Sequence, residues 1–408
     1  MASIKVKFRP STVADHEGSV YYQVIHERRV RQIITSYKLF YDEWDKRRQS
    51  IADTISSHRI LVIKNIKQSI KRDVENITRI INELTRKGGS FTSDDILDQF
   101  SIYTSTHSFS NFMNEVIEKL KQNGKIRTAE NYRATLNSFA KFIVDSGKYP
   151  DYDQNIMIDH LSADIIEAYE AWLKLRGITP NTSSFYMRIL RAVYNRAVEN
   201  QMIENQNPFR HVYTGVDKTV KRALPICLIR KIRQLDLSSN RQLDMARDMF
   251  MMSFYLRGMS FIDMAYLKRS DHRNGYIVYR RRKTGQVLTI KWTPEMQSIV
   301  DKYPENPNGY LLPILCNPIK PNLNAYRNAG YKINHNLKQI ALLVNVSIPL
   351  TLYVARHSWA SAARSKGVPL SVISQGMGHD SEATTRIYLS SLDSSLVDKA
   401  NSLIIKSV

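Results

Sequence analysis

Arg356, His379 and Tyr388 have the side-chain types that phosphoryl transfer needs. A guanidinium is a planar fork of donors that matches two non-bridging phosphate oxygens, an imidazole donates to a third, and a tyrosine oxygen is a nucleophile able to form a phosphodiester. Together the three could cleave a nucleic-acid strand without a metal. Ala355, Trp359 and Ala362 recur at helical spacing, so a helix is expected from Arg356 to Gly367. Pro369 suits the first turn of a second helix that breaks at Gly376 and Gly378, and Ser381 suits the N-cap of a third carrying Thr384, Thr385 and Tyr388. Two tight turns would bring the three side chains to one spot.

Taken singly these residues are unremarkable, since an arginine at a helix start is usually a solvated charge and a tyrosine on an amphipathic helix is usually core. Their order is what informs: Arg356-His357, then Gly378-His379, then Thr385 and Tyr388. It resembles the C-terminal boxes of the tyrosine recombinase (phage integrase) family. The resemblance implies that Tyr388 attacks the scissile phosphate, Arg356 stabilises its charge, and His379 donates to the same phosphoryl group. Lys283, in the turn Lys283-Thr284-Gly285 between two expected strands (276–282 and 287–292), stands where the family places the general acid for the 5′ oxygen. The family's first arginine aligns with Ser260, the nearest arginine being Arg257 one helical turn earlier. The reading favours Arg257, with Arg281 or Arg282 as other sources of the second guanidinium. Tyr353 occupies the place of a common family histidine, so the optional base on the nucleophile is either missing or replaced by the Tyr353 hydroxyl. His357 would point about 100° away around the helix and reads as structural. These departures, with the Arg257-Gly258-Met259-Ser260-Phe261 run, resemble integrases of mobile elements in Bacteroides-type bacteria.

The 408-residue chain carries 59 basic and 38 acidic residues, a formal charge of +21, which points to a polyanionic partner. Cys227 and Cys316 offer neither a disulfide framework nor a metal cluster, so no metal or cofactor is expected. The sequence has no apolar run of transmembrane length and no signal-peptide pattern at its start, and a cytoplasmic protein without membrane contact is expected.

The elements before these boxes look suited to delivering DNA. Ile4, Val6 and Phe8 alternate with Lys5, Lys7 and Arg9, then strands through Val20–Val24 and Ile33–Leu39 follow, with Arg28, Arg29 and Arg31 between them. This small basic sheet resembles the arm-binding domain of longer integrases. A long amphipathic helix from Ile63 through Leu84 ends at Gly88-Gly89. Four helices between about Phe109 and Asn207, started at Thr128 (second), Ser162 (third) and Asn181 or Thr182 (fourth), resemble a SAM-like core-binding domain, and Arg188 and Arg191 on the fourth suit phosphate contacts.

The expected fold is mainly α with small β-sheets. Its parts are an arm-type domain (1–100), a SAM-like helical domain (106–207), a basic linker (208–224) and a mixed α+β catalytic domain with a C-terminal tail (225–408). The expected function is site-specific recombination for integration, excision or inversion, through a 3′-phosphotyrosine. The resemblance implies double-stranded DNA as partner, at core and arm sites, and a homotetramer on two duplexes, and it admits an accessory DNA-bending or excision protein. The apolar stripe in Ser391–Ile405 suits docking on a neighbouring protomer. A type IB topoisomerase-like enzyme and a catalytically decayed DNA-binding regulator are the alternatives.

Overall fold

A computed structural model describes residues 2–52, 59–146, 156–217, 222–316, 323–389 and 405, without the side chains of Leu61, Leu323, Ile387 and Tyr388. The chain forms two compact units, Met1–Asp217 and Lys218–Val408.

The first unit opens with an antiparallel sheet of β1 (Ser3–Arg9), β2 (Gly18–His26) and β3 (Arg29–Leu39), in that order, followed by the two-residue strands β4 (Trp44–Asp45) and β5 (Ser50–Ile51). Strand alternation sorts its faces. Val20, Tyr22 and Val24 are fully buried, packed with Ile63, Ile66 and Ile77 of α1 (Ile60–Arg86). The other face carries the cross-strand rows Lys5–Gln23–Gln32 and Lys7–Tyr21–Ile34. The hydroxyls of Tyr22 and Tyr37 both donate to Oδ2 of buried Asp73 on α1, each at 2.7 Å, which ties helix to sheet. Burial raises that carboxyl from 3.8 to about 6.

Helix α2 (Ser93–His107) was not foreseen, and the expected boundary between residues 100 and 106 falls inside it. The segment is polar, with Ile96 and Phe100 as its buried hydrophobic residues, so it shows little apolar stripe, and its start is marked by a capping box between Thr92 and Asp95.

Four helices follow, α3 (Phe109–Gln122), α4 (Ile126–Ser146), α5 (Ala163–Leu175) and α6 (Pro180–Glu199). Tyr169 packs against Phe139 and Phe142 with ring centroids 5.1 and 5.3 Å apart. Ser162 caps α5 as expected, accepting from the Ile165 N–H. By contrast α4 starts before Thr128, and α6 has Pro180 in its first turn after Thr179 rather than a cap at Asn181 or Thr182. The stretch expected to be a linker is packed at both ends. Phe209 and Val212 are buried in the helical core of the first unit, and Leu224 in the core of the second.

The second unit is built around α8 (Arg241–Tyr255), preceded by α7 (Ile226–Gln234) and followed by the short α9 (Phe261–Ala265). Its sheet has the order β6 (His272–Arg273), β7 (Tyr276–Arg280), β8 (Val287–Lys291), all antiparallel. The remaining helices are α10 (Pro294–Val300), α11 (Leu323–Leu343), α12 (Leu352–Ser365), α13 (Leu370–Met377) and α14 (Glu382–Leu389). Met249, Phe250 and Met252 of α8 share one apolar core with Leu337 and Ile340 of α11 and with Val354 and Ala355 of α12. The apolar stripe noted in Ser391–Ile405 lies outside the described residues except for Ile405.

Candidate active site

Helix α12 begins at Leu352, one turn earlier than expected, so Arg356 sits in its second turn with only 5 % of its surface exposed. A buried guanidinium must place its donors. Nη1 donates to the Gly258 carbonyl at 2.7 Å and Nη2 to the Met377 carbonyl at 2.8 Å, and Nη2 also lies 3.0 Å from His379 Nε2. The Met377 carbonyl is the last of α13, left without a partner within the helix, and the Gly258 carbonyl lies in the turn two residues past the Leu256 C-cap of α8.

Those two ends have the same hydrogen-bond pattern. At α13 the N–H of His379 bonds the Ser374 carbonyl and that of Gly378 the Gln375 carbonyl, with Gly378 left-handed at φ 64°. At α8 the N–H of Gly258 bonds the Ser253 carbonyl and that of Arg257 the Phe254 carbonyl. Here the left-handed position usually given to glycine is held by Arg257, at φ 58°. A non-glycine residue there costs about 1–2 kcal/mol, strain of the kind that gathers at functional sites. The Arg257 side chain runs past Gly376 on α13, where an added Cβ would lie 3.7 Å from its Cδ. Among the described residues no carboxylate pairs with it.

The β7–β8 hairpin closes on the same spot. Ile277 and Tyr279 face inward, and the alternation carries on into Arg281, which is 7 % exposed and donates through Nη1 to the Gly378 carbonyl. Gln286 reaches the His379 carbonyl at 3.5 Å. Gly378 is fixed twice over, because a Cβ there would lie 2.8 Å from Leu288 Cδ1 and 3.1 Å from Arg281 Cδ. Lys283 is exposed at the hairpin tip.

His379 and Tyr279 both feel the charge of these cations. His379 is lowered from 6.5 to about 4 by burial first, then by Arg356, Arg281 and Lys283. Burial raises the Tyr279 phenol well above its ordinary range, Asp263 adds to that, and Arg356, Arg281 and Arg257 oppose it. The carboxylate of Asp263 is occupied, Oδ2 accepting from the Ser260 hydroxyl at 2.6 Å and Oδ1 from the Arg282 N–H at 2.9 Å. What results is a basin of three guanidinium groups, an ammonium and a neutral imidazole, suited to a multiply charged oxyanion such as a phosphodiester in transition.

The structure thus brings together Arg356, His379, Lys283 and Arg257 of the expected residues, together with Arg281, the expected alternative source of a second guanidinium, which the inward alternation Ile277-Tyr279-Arg281 also marks. Ser260 is spent on Asp263. Arg282 stacks its guanidinium 4.1 Å from the Tyr266 ring centroid. Tyr353 is 58 % exposed in the first turn of α12, edge-on to buried His357 with centroids 4.6 Å apart. Tyr388 lies on α14, whose Thr385 hydroxyl is 2.7 Å from His379 Nδ1; its own side chain is outside the described residues. Among the described residues no group of three or more His, Cys, Asp or Glu side chains is placed to hold a metal ion.

Of the expected DNA contacts, Lys5 lies exposed on the open sheet face and Lys7 beside it is half-buried, Arg28 and Arg29 are exposed at the β2–β3 turn, and Arg188 and Arg191 are exposed on α6. Arg31 differs. Its register partner Val24 faces the core, and its guanidinium pairs with Asp94 on α2 at 2.6 and 3.1 Å. It is a strut between sheet and helix. Arg191 spends one donor on the Thr214 hydroxyl at 3.2 Å. No described helix is long and apolar enough to cross a membrane.

The phage integrase SAM-like domain matches residues 108–214, and the phage integrase family matches residues 233–395. Tyrosine recombinase XerC of Pediococcus pentosaceus is 22 % identical over 280 residues, covering 64 % of this chain and 86 % of that protein. Among solved structures, a lambda integrase tetramer bound to a Holliday junction is similar at TM-score 0.53 and 15 % identity over 90 % of this chain and 92 % of its own. The Tn1549 transposon integrase in complex with a circular intermediate DNA is similar at TM-score 0.50 and 15 % identity, over 69 % and 95 %. The chain belongs to the phage integrase family of tyrosine recombinases. It is a site-specific DNA recombinase, and the topoisomerase and regulator readings are not favoured.

Proposed function

We propose that the chain is the integrase or invertase of a mobile element, of the kind carried by Bacteroides-type bacteria, acting in the cytoplasm. Tyr388 attacks the scissile phosphate, and its proton leaves as the phosphotyrosine forms. Arg356 and Arg257 stabilise the charge that builds on the phosphoryl oxygens, and buried Arg281 raises the field in the same basin. His379 donates to a phosphoryl oxygen, and Lys283 protonates the departing 5′ oxygen. Bond energy kept in the 3′-phosphotyrosine lets a 5′ hydroxyl from a partner duplex reverse the step, so the cycle needs no cofactor. The single observation that carries this reading is the buried Arg356–His379 pair, 3.0 Å apart in a basin that Arg281 and Lys283 also charge. Tyr353 is exposed and free to approach an incoming strand as an accessory group.

The remaining assignments extend the same reading. The sheet at 1–100 binds arm-type DNA through Lys5, Lys7, Arg28 and Arg29, the helical domain at 106–207 grips core-site phosphates through Arg188 and Arg191, and residues 225–408 catalyse. Four copies assemble on two duplexes, with an accessory bending or excision protein where the element supplies one. The test is strand exchange between two labelled duplexes. Recombinant product that requires both supports the assembly, whereas relaxation of one supercoiled circle without exchange would return the chain to the topoisomerase class.

A further inference from the structure

Thr385 is fully buried on α14, and its hydroxyl lies 2.7 Å from His379 Nδ1. On the other side of the ring, Arg356 Nη2 lies 3.0 Å from Nε2. A guanidinium has donors and no acceptor, so Nε2 must be the bare nitrogen and the ring proton sits on Nδ1, donating to the Thr385 oxygen. That tautomer cannot donate to a phosphate through Nε2, which is the role given to His379 above. Donation requires the opposite arrangement, with the proton on Nε2 and Nδ1 accepting.

We propose that Thr385 is a positioning residue that switches the His379 tautomer when phosphate enters the basin. A hydroxyl serves because it accepts in one state and donates in the other without moving its heavy atom. As Arg356 turns its Nη2 donor from Nε2 to a phosphoryl oxygen, one proton leaves Nδ1 to solvent and one enters at Nε2, leaving the ring charge unchanged. The Thr385 hydroxyl then rotates to donate to Nδ1 and holds Nε2–H toward the phosphate. Thr385 precedes Tyr388 by one turn on the same helix, so the contact also makes the His379 ring responsive to the placement of the nucleophile's helix. This inference rests on the recombinase reading for its consequence in cleavage but not for the tautomer itself.

The test uses full-length protein labelled with ¹⁵N-histidine, the His379 signals being assigned by their loss in His379→Gln, and inorganic phosphate as the probe. Without phosphate the parent should show the Nδ1–H tautomer, and phosphate should convert it to Nε2–H. Thr385→Ser should do the same, while Thr385→Val should lose the conversion. In single-turnover cleavage of nicked duplexes at saturating DNA, Thr385→Val should be slower by about tenfold, the scale of one lost hydrogen bond, with duplex affinity unchanged. Thr385→Ser should recover to within about threefold. An Nε2–H tautomer already present before phosphate is added, or a Thr385→Val variant that cleaves like the parent, would overturn the proposal. If Thr385→Val does not fold, the parent and Thr385→Ser titrations still decide it. A parent that forms no covalent adduct sinks the catalytic reading alone, since the phosphate titration reads the tautomer independently.

Discussion

Gly258 and Arg356 are mutually fitted. The arginine donates to the glycine carbonyl at 2.7 Å, and a Cβ on Gly258 would stand 2.7 Å from the Arg356 Cα. The turn after α8 is pressed against α12 so closely that only a residue without a side chain fits, and its φ of 74° disfavours other residues independently. Gly258→Ala is therefore expected to lose adduct formation and to destabilise the catalytic unit by roughly 2 kcal/mol or more, from left-handed strain plus overpacking. Thermal midpoint and adduct yield check this together, and a variant with parental stability would mean the turn is looser than described.

Arg257 makes the opposite trade. It holds a left-handed position that glycine occupies without penalty, so Arg257→Gly should raise stability by about 0.5–1 kcal/mol, the relief of strain less the entropy of an added glycine. The same change should slow cleavage by about 10²–10³, as loss of one preorganised charge donor does, with duplex affinity nearly constant. If Arg257→Gly cleaves normally, Arg281→Ala should show the deficit and the second guanidinium is Arg281.

The pH response of the two units should run in opposite directions. His379, lowered to about 4, refuses a proton that the unfolded chain binds below about 6.5, so its unit loses stability as pH falls through that window. Asp73, raised to about 6, keeps a proton that the unfolded chain has released above 3.8, so its contribution is lost as pH rises toward and through 6. Relative to the parent, His379→Gln should gain in thermal midpoint as pH drops from 7 to 4.5, and Asp73→Asn should gain as pH climbs over that range. Parallel curves for parent and variants would remove both assignments.

Salt dependence separates DNA contacts from struts. Alanine at Lys5 or Lys7 should flatten the slope of log affinity against log salt by about one each. Arg31→Ala should leave the slope alone and lower the stability of the first unit, because its charge is already met by Asp94. A slope change from Arg31→Ala equal to that from Lys5→Ala would put the sheet's inner edge on DNA.

The local periodic signals were readable from the chain: the three N-terminal strands, α1, the helical bundle and the order of the catalytic boxes. Helix α2 was not, because a segment with Ile96 and Phe100 as its buried hydrophobic residues has almost no stripe. Arg257 was ambiguous for a physical reason. Sequence rules assign left-handed positions to glycine, so an arginine in that conformation leaves no local mark. Ser260 aligned with the family's arginine position, yet its hydroxyl donates to Asp263 three residues on, a carboxylate that the Arg282 N–H also holds once the hairpin folds over it. The acceptor role of His379 Nε2 also depends on a residue 23 positions away, which no spacing rule specifies.

Covalent trapping shows whether Tyr388 is the nucleophile. Full-length protein is incubated with a pool of nicked duplexes of random sequence, and protein that retains DNA through denaturing electrophoresis is recovered. The parent should yield an adduct and Tyr388→Phe none, while both bind duplex equally, since only the attacking oxygen is removed. An adduct that persists in Tyr388→Phe would rule Tyr388 out and move the nucleophile to Tyr353 on α12 or to Tyr326 on α11.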